Sequence, residues 1–248
     1  HHEYETTVTT GHSDPCEGRA EDRFSDTQGS ECDDRKIEGN VGKKTNKGKS
    51  EGACAPYRRL HVCDRNLEEI KPVDITNDKF LVDVLLAAKH EGKSIRTQYK
   101  QIENGYKSGL CTVLARSFAD IGDIIRGKDL CSGNNREKVK LENNLKKIFG
   151  IIYGKLKKNN NNVAIKTYYE QDAPNYYQLR NDWWERNRQQ VWNAITCGAP
   201  KDAKYLEKKD GGAYGCTHTS CHCAGGDVLT NFDYVPQYLR WFEEWAED

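Results

Sequence analysis

Methionine is absent from all 248 residues, even at position 1. The chain therefore reads as a processed or excised piece of something longer. No secretory leader is visible, and nothing approaches the roughly 18 consecutive apolar residues of a membrane-spanning helix. No Asn-x-Ser/Thr glycosylation acceptor occurs despite abundant asparagine, a hint of a secretory route without N-glycosylation. Net charge is absent too: 38 basic side chains balance 38 acidic ones. That removes any global electrostatic bias toward nucleic acid or an acidic membrane. There is no Walker loop and no GxGxxG. Gly211-Gly212 and Gly225-Gly226 lack the strand-then-helix context of a phosphate cradle.

What the chain has is cysteine. Cys16, Cys32, Cys54, Cys63, Cys111, Cys131, Cys197, Cys216, Cys221 and Cys223 make an even set, four before residue 64 and six after residue 110. In an oxidising compartment this reads as up to five disulfides with the connectivity open. A chain only 36% hydrophobic and 31% charged has a modest core and benefits from such staples. The cluster Cys216, His218, Cys221, His222 and Cys223 is also compatible with tetrahedral zinc. Even parity and the lack of a second knuckle favour disulfides, so no metal and no cofactor are expected.

Residues 1–75 carry no convincing period and read as an irregular, disulfide-held lobe, with a short strand at Thr6–Thr9. From residue 76 to 248 the pattern is helical, so the fold class is mainly α: a helical bundle with the lobe attached. Thr76 or Asn77 caps a first helix closing at Gly92. A second runs from about Ser94 to Arg126, with Gly105 and Gly109 as candidate breaks, and a third from about Arg136 to Leu156. A fourth starts near Pro174, a residue suited to a first helical position, and stops at Cys197-Gly198. Residues 198–235 read as a loop-rich insert. Pro236 opens a last helix with Tyr238, Leu239, Trp241, Phe242 and Trp245, cut off after about three turns.

Candidate chemistry is sparse. Asp120 and Asp123 lie three apart on one helical face, the spacing of an acid/base pair and equally of a salt-bridged or exposed helix edge. No cysteine sits in a nucleophile signature, and no catalytic residue is assigned. The Trp and Tyr residues at helical spacing read as core. Two lysine clusters remain: Lys43, Lys44, Lys47 and Lys49 in a Gly-rich stretch, and Lys155, Lys157 and Lys158 closing the third helix. Each reads either as solvated surface or as a contact for sulfated glycans.

Ala53 to Asp64 (ACAPYRRLHVCD) strongly resembles the signature of Duffy-binding-like domains. Ala115 to Gly127 (ARSFADIGDIIRG), Asp182-Trp183-Trp184 and Phe232 to Trp245 (FDYVPQYLRWFEEW) resemble blocks of their alpha class, found in the N-terminal head of Plasmodium falciparum variant surface antigens. The resemblance spans about residue 50 to the end. It implies a fold of three subdomains: the irregular lobe, the helical bundle, and a third that is absent here. It also implies display on the infected red cell within a larger membrane-anchored protein, and no enzymatic activity. The expected ligands are heparan-sulfate-type glycans, blood-group sugars or a complement receptor, on red cells or endothelium. Host antibodies and neighbouring domains of the same chain are further partners. The runner-up role is a scaffold for an adjacent receptor-binding domain. Arg58 and Arg59, inside the signature, are expected to be structural, and the lysine clusters adhesive. Some relatives carry a cysteine where Leu85 stands, while Cys131 looks additional, which implies a rerouted bridge.

Overall fold

In the computed structural model the described residues are 14–21, 23–24, 31–33, 35–42, 50–100, 109–131, 136–159, 167–199, 204–208, 214–219, 221 and 228–247. The strand expected at Thr6–Thr9 and the lysines at 43, 44, 47 and 49 lie outside them. The lobe contains a two-residue ribbon, β1 (Val41–Gly42) against β2 (Ser50–Glu51), and two single-turn helices, α1 (Tyr57–Leu60) and α2 (Arg65–Glu68). The bundle consists of α3 (Asn77–Tyr99), α4 (Leu110–Arg126), α5 (Arg136–Asn159) and α6 (Tyr177–Thr196). An antiparallel hairpin, β3 (Lys204–Lys208) with β4 (Tyr214–Thr219), follows, and α7 (Gln237–Glu247) closes the chain. The insert is therefore not wholly loop. No helix among the described residues is long and apolar enough to cross a membrane.

Helix α3 begins where the sequence indicates: the Thr76 hydroxyl accepts the Lys79 N–H at 3.2 Å, satisfying one orphan donor of the first turn. It does not stop at Gly92. A Cβ at that position would lie 1.9 Å from the Ile195 carbonyl oxygen, so Gly92 marks the crossing of α3 with the end of α6. The residue that looked like a terminator is a contact residue.

Every residue of α4 except Thr112 is buried, as befits a helix surrounded by its neighbours. Its end is a Schellman cap. Gly127 takes φ +72°, its N–H reaches the Ile124 carbonyl, and the Lys128 N–H reaches the Asp123 carbonyl. Helix α6 starts three residues after Pro174, which sits in a cis peptide with Ala173. The cap comes from Asp172, whose carboxylate accepts the N–H groups of Gln178 at 2.9 Å and Leu179 at 2.8 Å.

Aromatic rings form the middle of the bundle, as their spacing indicates. Phe80 contacts Trp183 at 4.9 Å and Phe149 at 5.4 Å between centroids, and Phe118 contacts Trp184 at 5.1 Å and Trp192 at 5.3 Å. Gly122 leaves room for the Trp184 indole, which would stand 2.7 Å from any Cβ there.

Three disulfides are present among the described residues. Cys16–Cys63 and Cys32–Cys54 close the lobe, and Cys111–Cys221 ties the insert to the start of α4. Cys223 and the Cys216 side chain lie outside the described part. Two assignments are corrected: Cys131 and Cys197 carry free thiols. Cys131 is buried beside Ile37, Ala55 and Trp241, and burial pushes its thiol up to about 12, which leaves it inert. Cys197 lines a groove of about 210 Å³ together with Leu85. Leu85 occupies the position at which the resemblance leads one to look for a second sulfur. The implied bridge is missing, not rerouted.

Candidate binding surface

The resemblance blocks converge on buried charge. Arg58 of α1 is 2% exposed and grips Glu244 of α7 through two bonds, Nε to Oε1 at 2.9 Å and Nη2 to Oε2 at 2.8 Å. The same guanidinium meets Asp120 at 2.8 Å and donates to the Ser117 hydroxyl. From α7, Arg240 reaches Asp120 at 2.8 Å and Asp123 at 2.5 Å, while Gln237 donates to Asp120 and Asp129. Arg59 pairs with Asp129 at 2.5 Å, and Arg126 with Asp123 at 2.9 Å. Below these, Asp233 accepts from the Trp184 indole and from Arg188. Burial alone would raise the Asp120 carboxyl, but the guanidiniums of Arg58, Arg240 and Arg59 overcome it and hold the group at about 2. Asp123, also buried, is pushed up to about 6 by desolvation against the pull of Arg240 and Arg126, and both carboxylates are enclosed by guanidiniums, away from solvent. They are buried anchors, and Arg58 and Arg59 are structural.

A second web pins the lobe to the bundle. Arg23 pairs with Glu91 at 2.8 Å, and Glu91 also accepts from Ser117 and from the Cys63 N–H. Arg19 and Lys138 both contact Asp64 and Glu68. Burial opposes ionisation of Asp64, yet Lys138, Arg19 and Arg59 bring it down to about 2.

These webs reverse the expected polarity of α7. Its inward face carries Gln237, Arg240, Trp241 and Glu244, while Tyr238, Leu239, Phe242 and Trp245 are turned out, Phe242 being 75% exposed. Of the apolar residues singled out there, only Trp241 is core.

One buried carboxylate has no such support. Asp83 on α3 is 1% exposed and its Oδ2 has no hydrogen-bond partner among the described residues. Burial pushes its pKa up to about 7. The folded state therefore holds a proton that the unfolded chain releases near its ordinary value of about 4. Stability from this group is full below that value and is lost as pH rises to about 7, at up to roughly 1.4 kcal/mol per pH unit. Asp83→Asn is expected to stabilise the protein by about 1–3 kcal/mol at pH 7.5 and to flatten this slope. Urea midpoints across that range measure it; an unchanged slope contradicts the assignment.

The lysines closing α5 lie apart from these webs. Lys155 donates to the Ile75 carbonyl at 3.0 Å, Lys157 stands 5.3 Å from the Tyr153 ring centroid, and Lys158 is exposed. Beside Lys155 opens a cleft of about 650 Å³ between the first turn of α3, the end of α5 and α6. Nothing in the sequence marked it. The zinc alternative loses a ligand, because the Cys221 sulfur is bonded to Cys111. A cluster of Asp14, Cys16 and His90 fails equally, its sulfur being bonded to Cys63.

Lobe, bundle and webs define a disulfide-clamped, mainly helical module. The family model described as Duffy binding domain matches residues 52–240, and the chain belongs to that family. Among curated proteins it is 26% identical over 204 residues to the Duffy receptor beta form of Plasmodium knowlesi, covering 79% of this chain and 14% of that protein. It is 27% identical over 206 residues to the Duffy receptor of Plasmodium vivax, covering 79% and 15%. Among solved structures it resembles the NTS-DBL1(alpha-1) domain of membrane protein 1 from the Plasmodium falciparum varO strain. There the TM-score is 0.77 and identity 41%, over 94% of this chain and 51% of that one. A DBLβ domain of the same protein class, bound to human ICAM-1, gives a TM-score of 0.68 at 33% identity, over 94% and 46%. The chain spans about half of these structures and a much smaller share of the curated relatives.

Proposed function

We propose that this chain is an adhesion module, carried outside an infected erythrocyte by a longer membrane-anchored protein, that holds a ligand on host red cells or endothelium. The observation that carries this reading is the likeness, along nearly the whole chain, to adhesin domains, one of them bound to a host cell-surface protein. Residues 1–75 and 76–248 are read as its two subdomains, with the Thr76 cap supporting that boundary. The adhesive lysines are read as Lys43, Lys44, Lys47 and Lys49 together with Lys155, Lys157 and Lys158, facing sulfated glycans. A supporting role toward a neighbouring domain is the second reading. It is favoured by the outward aromatic face of α7 and by a similar varO-strain domain solved as a double domain.

Retention on heparin and on red cells at physiological salt tests the adhesive reading. Neutralising Lys157 and Lys158 together, or the four lysines of residues 43–49, is expected to weaken heparin binding and to flatten its salt dependence, because fewer counterions are released. Lys155 is a poorer probe, since its ammonium also satisfies the Ile75 carbonyl. If neither set alters retention, the sulfated-glycan assignment fails. No retention of red cells at all favours the supporting role.

A further inference from the structure

We propose that the cleft between the first turn of α3, the end of α5 and α6 is a phosphocholine site, taking a ligand that joins a quaternary ammonium to a phosphate. This ligand is distinct from the sulfated glycans above, and the site does not depend on them. With a volume of about 650 Å³, the cleft lies within the roughly 300–1,000 Å³ usual for ligand sites. Its walls are Ile152, Leu156, Leu179 and Trp183, with Tyr169 at the side. Two hydrogen bonds fix the rings in advance. The Trp183 indole N–H donates to Asn77 Oδ1 at 2.8 Å, and the Tyr169 hydroxyl donates to Asp182 Oδ2 at 2.8 Å. Rings held this way lose little freedom when a ligand arrives.

Polar groups of both signs surround this wall. Asp78, Lys155, Asp182 and Arg186 line the opening, so its formal charge is zero. Asp182 and Arg186 stand four residues apart on α6, where side chains are neighbours and opposite charges commonly pair. Among the described residues no ion pair joins them: the carboxylate accepts from Tyr169, and Arg186 is exposed with no partner there. The Lys155 ammonium is engaged by the Ile75 carbonyl. The cleft thus keeps an acidic pole beside its aromatic rings and a basic pole one helical turn away. A polyanion gains little from such a rim, meeting as many carboxylates as cations. A wholly apolar ligand would strip water from both poles without replacing it. A zwitterion satisfies them together. At the basic pole, a phosphate can take two parallel bonds from the guanidinium. At the acidic pole, a primary ammonium would lose hydration against Leu179 and Trp183. A trimethylammonium presents methyl groups to that wall, gives up less water, and is attracted to aromatic rings as well as to the carboxylate. The two-carbon link of phosphocholine spaces its charges by about one helical turn. Glycine betaine, whose single carbon holds the charges closer, fits less well.

The test is calorimetry and saturation-transfer NMR on the 248-residue protein with phosphocholine, choline, phosphoethanolamine, glycine betaine and inorganic phosphate, beside flotation with phosphatidylcholine vesicles. Saturable phosphocholine binding is expected, about tenfold or more tighter than that of any of the four partial ligands. Arg186→Ala should weaken it about tenfold or more, and an unchanged thermal midpoint checks that the variant folds. Asp182→Asn, which keeps an acceptor for Tyr169, should weaken phosphocholine but not inorganic phosphate. Flotation by the parent protein and not by Arg186→Ala assigns the ligand to a lipid headgroup. Binding of phosphocholine without flotation assigns it to a soluble molecule. Phosphocholine held no tighter than inorganic phosphate overturns the ligand class, and binding indifferent to Arg186→Ala overturns the site. Absence of phosphocholine binding overturns both, even where heparin or red cells are retained. Phosphocholine binding with no retention of heparin or red cells leaves the site standing and overturns the adhesive reading alone.

Discussion

Replacing Arg58 by alanine is expected to remove about 3–5 kcal/mol of folding stability, although the residue lies in a helix of a single turn. The reason is what remains behind. Glu244 and Asp120, at 1% exposure or less, lose the guanidinium that pairs with both of them in the interior. A buried charge without its partner costs far more than an exposed pair ever contributes. Ser117 loses a donor in the same step. The measurement is chemical unfolding of Arg58→Ala beside Arg186→Ala, a surface arginine expected to lie within about 0.5 kcal/mol of the parent. Removing both partners, Arg58→Leu with Glu244→Leu, should recover part of the loss, because no uncompensated charge is then left on that side. A loss for Arg58→Ala as small as that for Arg186→Ala would show that water reaches the web.

The second large effect belongs to the Cys111–Cys221 bridge. It closes 110 residues, against 22 for Cys32–Cys54, and the cost of keeping the unfolded chain closed grows with the logarithm of loop length. Substituting alanine for both members of either pair should destabilise the protein by about 2–5 kcal/mol. The long-range bridge should cost more than the short one by about 1–1.5 kcal/mol. Both alanine pairs are read by urea midpoints under identical non-reducing conditions. If the short bridge proves the more costly, loop-closure entropy does not set the order of the two. The free thiols give a separate readout: Cys131 and Cys197 should take label after unfolding without reduction, while the six cysteines of the three bridges should not.

The bundle was legible because its helices advertise themselves at 3.6-residue spacing and because Thr76 and Gly198 stand where caps belong. The starts and stops that failed share one cause. Gly92 and Pro174 carry strong local meanings that depend on surroundings: one faces a crossing helix, and the other precedes a helix capped by Asp172. The hairpin of β3 and β4 was missed because five or six residues of mixed polarity show no clear alternation, although Gly211-Gly212 stands between the strands as a turn signal. The structural role of Arg58 and Arg59 could be inferred from their place between two cysteines. Their partners could not, since Glu244 lies 186 residues from Arg58. The cleft was invisible for the same reason. Its lining comes from four separate stretches of chain, and Arg186 taken alone reads as an ordinary solvated helix residue.

The web around Asp120 also bears on how such a sequence can be inherited. Its nodes come from α1, α4 and α7, so no single exchange of a short segment carries the whole set. A crossover between residues 60 and 110 would join one parent's Arg58 to the other parent's Asp120 and Glu244. It would yield a folded chain only when both parents carry matching charges. Point changes meet the same obstacle, because each node strands at least one neighbour and a compensating change must arrive before the first is lost. Exposed positions such as Lys158, Arg186 or Phe242 carry no such debt. Sequence drift is therefore channelled to the outer surface, while the interior acts as a compatibility code that decides which fragments can be recombined.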